Sequence, residues 1–112
     1  MRVTDVLGVA CAVILISADL SMAAAKPLPV DIRVFRFTPG QLVIDAGATV
    51  TWTNHDDITH TVTSGAPDAP DGRFRERLEG KGRATTVVFE ERGVFPYFCE
   101  RHPSMRGEIR VN

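Results

Sequence analysis

The sequence predicts an all-β fold, an antiparallel sandwich or barrel built from short strands. Three observations lead to this prediction. Apolar and polar residues alternate with the period of a strand in several short segments, and turn-forming residues separate those segments at regular spacing. No helical pattern of apolar residues occurs after Ala25, and there is no internal repeat. The 112 residues support one domain.

The strands are predicted in order from this pattern. Alternation occurs in residues 30–34, 42–44, 49–53, 60–63, 85–89, 95–99 and 109–111. Turn signals separate them at residues 38–40, 45–47, 54–57 and 91–93. Val30, Ile32 and Val34 are expected to share one strand face. Residues 64–83 are rich in Gly, Pro and charge and should be the least regular part, with Phe74 and Leu78 reaching the core.

The first 25 residues have the composition of an export signal. An apolar run over residues 6–16, which includes Cys11, follows Arg2 and is shorter than the roughly 20 residues that span a bilayer. Small residues up to Ala25 then fit a cleavage site. We expect residues 1–25 to be a signal peptide and residues 26–112 to be the folded domain of an exported protein, periplasmic in a bacterium. An uncleaved anchor is the alternative.

Removal of this segment changes both the charge and the cysteine count. Residues 1–25 contain Arg2, Asp5 and Asp19, so 12 of the 13 basic and 12 of the 14 acidic residues remain. A balanced charge gives no reason to expect nucleic acid or a membrane surface as partner. Cys99 is then the one cysteine left. A lone cysteine in an exported chain requires an explanation, such as an intermolecular bond, a reactive thiol or a metal.

The most specific motif is Cys-x-x-His-x-x-Met, formed by Cys99, His102 and Met105. A tight loop with this spacing can turn a thiolate, an imidazole and a thioether toward one point. Two His and one Cys in a trigonal plane, with a weak axial Met, form a blue-copper site. His60, which begins an alternating segment, is preferred as the second histidine over His55, which lies in a polar turn. The prediction is one copper ion, cycling between Cu(I) and Cu(II), on these four residues.

Other interpretations of the motif are weaker. Structural zinc takes four ligands from Cys, His and carboxylate, and a thioether is a poor ligand for it. A single His or Cys is more often a surface or core residue, but the combination is much more specific. A Cys–His nucleophile would need an oriented base, an oxyanion hole and a cleft. No residue that could orient His102 is evident, so no enzyme is predicted.

These motifs resemble those of the cupredoxins, in particular the amicyanin, pseudoazurin and plastocyanin group. The matching pieces are TVTWTN at residues 49–54, His60, Gly93-x-Phe95-x-Tyr97-x-Cys99, and Cys99-x-x-His102-Pro103-x-Met105-x-Gly107. The resemblance covers nearly all of residues 30–112. It implies a Greek-key β-sandwich with copper at one end, and a cupredoxin copper-binding domain over residues 26–112. Two departures concern Thr61, where amicyanin and plastocyanin have an Asn that ties the ligand loops together, and Arg101, where amicyanin has proline.

The resemblance also implies a function, a monomeric periplasmic carrier of single electrons between redox partner proteins. The alternative is a copper-binding or copper-delivery protein without a redox partner, which the ligand set does not separate from a carrier. His102 is expected to be the electron port, with Pro103 and Ile58 in an apolar rim and Arg101 beside it. Residues 71–83 carry five basic and three acidic side chains, which favours an acidic partner unless this loop is simply solvated.

Overall fold

The computed structural model describes residues 25–112, so the predicted signal segment lies outside the described residues apart from Ala25. The strands are β1 (Leu28–Arg33), β2 (Arg36–Thr38), β3 (Gln41–Ile44), β4 (Ala48–Asn54), β5 (His60–Ala66), β6 (Ala69–Leu78), β7 (Ala84–Phe89), β8 (Gly93–Phe98) and β9 (Arg106–Val111). Within residues 25–112 no helix is long and apolar enough to cross a membrane.

The strands form two sheets, which confirms the predicted all-β Greek-key β-sandwich. One sheet has the order β2-β1-β4-β7, and the other has the order β3-β9-β8-β5-β6. The pairs β1/β4 and β3/β9 are parallel, whereas the sequence predicted antiparallel pairing throughout. The alternation of apolar residues reports which face of a strand is buried, not the direction of its neighbour. The chain changes sheet on either side of β3, so no hairpin constrains these two pairs.

The inward faces of the two sheets meet in an aromatic core. Trp52 is fully buried, and its ring centroid lies 5.3 Å from that of Tyr97 and 5.8 Å from that of Phe74. Leu78 belongs to the buried core, and the half-buried Phe74 packs against it, as the sequence predicted. Aromatic rings at these separations add to the stabilisation that burial of their area provides.

The longest strand lies where the sequence predicted the least regularity. β5 extends to Ala66 and β6 runs antiparallel to it through ten residues. Gly65 marks a shift in their register with a φ of +102°, and a Cβ there would lie 2.6 Å from the Ala69 carbonyl oxygen. β6 is an edge strand with mostly exposed, charged side chains, so its sequence lacks the apolar alternation of a half-buried strand.

The hairpin between β1 and β2 corrects a second expectation. Val34 was predicted to share the inward face with Val30 and Ile32, but its side chain is 77% exposed. The strand ends at Arg33, and Val34 and Phe35 form a two-residue turn with φ of +48° and +58°. Positive φ at both central residues is the geometry of the tightest hairpins, where Asn and Gly are usual. The outward turn of the chain therefore removes Val34 from the core.

Tyr97 and Gly107 face each other across β8 and β9. Tyr97 is buried, and burial raises the pKa of its hydroxyl to about 12, so the ring is neutral at physiological pH. A Cβ at position 107 would lie 2.2 Å from the Tyr97 ring, so only glycine fits opposite this ring. The pair lies directly behind the loop that joins the two strands.

Candidate metal centre

The loop between β8 and β9 carries three of the four predicted ligands. Cys99 follows the last residue of β8, and Met105 precedes the first residue of β9. The Met105 amide donates to the His102 carbonyl at 2.8 Å, and the Cys99 amide donates to the Met105 carbonyl at 3.1 Å. These bonds close the loop on itself. Cys99 and Met105 are both buried, and His102 is partly exposed.

His60 approaches the same loop from β5. Pairing of β5 with β8 brings the beginning of β5 beside the end of β8, where Cys99 lies. The Cys99 Sγ lies 3.8 Å from the Nδ1 atom of His60 and 3.8 Å from the Nδ1 atom of His102. The three ligand atoms all lie within 4.8 Å of one another, an arrangement that can hold a metal ion.

These distances fit a shared metal ion better than direct hydrogen bonds. Bonds of about 2.3 Å to sulfur and about 2.0 Å to nitrogen, about 120° apart, hold two ligand atoms about 3.7 Å apart. The observed separations of 3.8 Å agree with this value. A thiolate and two imidazoles also form the donor set that suits both oxidation states of copper.

The structure separates the two candidate histidines. His55 Nε2 lies 2.9 Å from the Asp31 carboxylate, and the His55 side chain is partly exposed. His60 is fully buried and lies beside Cys99. The sequence-based preference for His60 therefore agrees with the positions of the two rings.

Asp56, which was not among the residues predicted from the sequence, orients the His60 ring. His60 Nε2 donates to the Asp56 carboxylate at 2.8 Å, which leaves the Nδ1 lone pair facing Cys99. Burial acts to raise the Asp56 pKa, but hydrogen bonds from the amides of Phe35 and Val34 and from His60 outweigh it, so the pKa is lowered. The available signal was an Asp four residues before the histidine.

Thr61 joins the two segments that carry the candidate ligands. Its amide donates to the Cys99 Sγ at 3.4 Å, and its hydroxyl accepts a hydrogen bond from the Glu100 amide at 2.8 Å. The threonine thus makes the connection that the resemblance assigns to an asparagine. The shorter side chain suffices because its hydroxyl contacts the first amide after the cysteine.

A two-sheet sandwich with a thiolate and two imidazoles converging at one end is the architecture and donor set of a cupredoxin. Comparison with known proteins agrees. Residues 24–112 match the family of copper binding proteins described as the plastocyanin/azurin family. The chain belongs to this family. Copper is therefore its expected ion, and His60, Cys99 and His102 are placed to bind it.

Individual relatives also support membership of this family. The chain is 32% identical to amicyanin of Paracoccus versutus over 93 residues, which cover 79% of this chain and 70% of that protein. It is 32% identical to plastocyanin of Scenedesmus fuscus over 67% of this chain and 85% of that protein. Among solved structures, a purple cupredoxin from Nitrosopumilus maritimus superposes with a TM-score of 0.70 at 30% identity, covering 76% of this chain and 99% of that one.

Proposed function

We propose that the protein is a type 1 (blue) copper protein that carries single electrons between redox partner proteins. The observation that carries this proposal is the equal separation of 3.8 Å between the Cys99 sulfur and the two histidine Nδ1 atoms. Hydrogen bonds from Thr61 to Cys99 and from His60 to Asp56 support a rigid site. A rigid ligand geometry that suits both Cu(I) and Cu(II) lets copper change its charge with little movement of the ligands.

The proposal assigns four ligands and a cellular route. His60, Cys99 and His102 form the trigonal set, and Met105 is the weak axial ligand. Its place in the loop after His102 and its burial among the core residues beside Cys99 support this role. Residues 1–25 act as a signal peptide, and the domain of residues 26–112 works as a monomer in the periplasm. The composition of residues 1–25 supports export.

Copper delivery is the second candidate, and repeated redox cycling separates the two. We expect the purified protein to turn blue or green when Cu(II) is added and to bleach on reduction. An electron carrier should keep its copper through many such cycles in the presence of a Cu(I) chelator. Progressive transfer of copper to the chelator with each cycle would instead support delivery.

Met105→Gln is expected to leave copper bound and to lower the reduction potential. An oxygen donor stabilises Cu(II) more than a thioether does, and the axial ligand is a known influence on blue-copper potentials. A tenfold to hundredfold gain in preference for Cu(II) corresponds to a fall of about 60–120 mV. Protein-film voltammetry measures the shift. Met105→Leu removes the axial donor, and its reduction potential is expected to change in the opposite direction. An unchanged potential in both would make Met105 a core residue only.

The charges of residues 71–83 are more balanced than their sequence indicates. Arg73 pairs with Glu91 at 3.2 Å, and Arg75 pairs with Glu100 at 3.0 Å, so two acidic groups from outside the segment offset its excess. Arg77 pairs with Glu79 within it, at 2.9 Å. Arg101 is exposed, adjoins His102, and makes no ion pair within residues 25–112. We propose that Arg101, rather than this segment, steers an acidic partner toward His102.

Arg101→Glu is therefore expected to slow electron transfer to an acidic redox protein at low salt. Steering acts on the association rate and is screened by salt, so the difference should shrink as ionic strength rises. Arg92→Glu makes the same change of charge at the opposite end of β8 and serves as the control. The measurement is the second-order rate constant by stopped flow. Equal slowing by both variants would mean that net charge, not Arg101, is responsible.

A further inference from the structure

The tip of the β1–β2 hairpin lies over the candidate metal centre. The Phe35 ring meets the His102 ring edge-on at a centroid distance of 4.9 Å and the His60 ring at 5.5 Å. The two histidine rings are themselves 5.2 Å apart. Phe35 is 48% exposed, so one side of its ring contacts the histidines while the rest faces solvent. A single aromatic side chain therefore packs against both imidazoles.

One carboxylate holds this tip in place. Asp56 Oδ1 accepts from the Val34 amide at 2.8 Å, and Asp56 Oδ2 accepts from the Phe35 amide at 3.1 Å. The same Oδ2 accepts from His60 Nε2 at 2.8 Å. Asp56, which lies 21 residues after Phe35 in the sequence, thus joins the hairpin tip to His60.

The backbone of the tip indicates that this placement is specific. Val34 and Phe35 both have positive φ, which is unusual for side chains of these types and especially for a β-branched one. Such conformations persist where the surrounding structure holds them, and they often accompany functional sites. Here the two amides of the strained residues are the groups that Asp56 binds. Glycine or asparagine would relieve the strain, but neither would place an aromatic ring over the histidines.

We propose that the β1–β2 hairpin tip is a lid on the metal centre, in which Phe35 shields the two histidines and Asp56 is the latch. In this lid the Phe35 ring covers both histidine rings and limits the approach of a small anion to the ion that they would hold. Asp56 is a positioning residue, because it acts through Phe35 and His60. The inference rests on the proposed copper site but not on electron transfer between partners.

The anion azide tests the lid directly, because its binding to Cu(II) changes the visible spectrum. We expect Phe35→Ala to bind azide about tenfold more tightly than the parent, because loss of the ring opens the space above the histidines in the variant. Phe35→Tyr keeps a ring of the same shape and should behave like the parent. Val34→Ala alters the other exposed residue of the tip, whose side chain is 77% exposed, and should also behave like the parent. Equal azide affinity in Phe35→Ala and the parent would overturn the lid.

The latch is tested without copper. In the metal-free protein, Asp56→Asn should speed hydrogen exchange of the Val34 and Phe35 amides by about tenfold or more, while core amides such as that of Val62 keep the rate of the parent. Asp56→Ala is the second variant, because an asparagine oxygen still accepts one hydrogen bond. Unchanged exchange in both variants would overturn the latch. Failure of the parent to give a coloured Cu(II) form would refute the proposed function, whereas this exchange experiment would still decide the latch.

Discussion

Cys99→Ser is expected to give a colourless protein in the presence of Cu(II), whereas the parent is expected to turn intensely blue or green. The colour of such a site comes from charge transfer between the thiolate sulfur and copper, and a hydroxyl does not supply a thiolate. Cys99 is the free cysteine of the described residues and lies 3.8 Å from each candidate histidine nitrogen. The loss should therefore be complete rather than partial. The visible spectrum during titration with Cu(II) measures it.

His55 and His60 provide matched variants for the same titration. His60→Ala should lose the parent spectrum, since it removes a nitrogen beside the Cys99 sulfur. His55→Ala should retain it, because His55 contacts Asp31 instead. Circular dichroism should show that all three variants are folded. A blue Cys99→Ser protein, or loss of colour in His55→Ala but not in His60→Ala, would refute the site.

Gly107→Ala is expected to have the largest effect on stability. The added Cβ would lie 2.2 Å from Cζ and 2.3 Å from Oη of Tyr97, far inside van der Waals contact. The Tyr97 ring has little room to move, because Phe37 and Trp52 pack against it at centroid distances of 4.7 and 5.3 Å. Overpacking a rigid core costs about 3 kcal/mol in the free energy of unfolding.

Thermal unfolding of the metal-free protein measures this cost. Each kcal/mol should lower Tm by roughly 4–8 °C in a domain of this size. Gly40→Ala is the control, because the nearest atom to its added Cβ is the Phe37 carbonyl oxygen at 3.8 Å, an ordinary contact. Similar Tm values for Gly107→Ala and the parent would show that Tyr97 has more freedom than its contacts indicate.

Edge strands and turns are the parts of the fold that could not be predicted from the sequence. β4 and β8 could be predicted because their buried faces alternate with exposed or polar positions. β6 could not, because an edge strand of mostly exposed, charged residues carries no such alternation. Val34 continued the apolar pattern of β1, but the turn carried it away from the core. The alternation of apolar residues identifies a strand but does not show at which residue the strand ends and the chain turns.

The local part of the candidate site could be predicted from the sequence alone. Cys99, His102 and Met105 lie within one seven-residue loop, so their spacing was enough to suggest shared coordination. His60 could be chosen because its segment alternates and His55 sits in a polar turn. These inferences needed only neighbours in sequence and the chemistry of thiolate, imidazole and thioether.

The surroundings of those residues could be seen only in the folded structure. Asp56 and Phe35 lie 21 residues apart, and they meet because β1 pairs with β4, so that the hairpin after β1 lies against the turn after β4. Thr61 reaches Cys99 and Glu100 across 38 and 39 residues of sequence through the pairing of β5 with β8. Such contacts depend on strand order and direction, which side-chain periodicity does not encode.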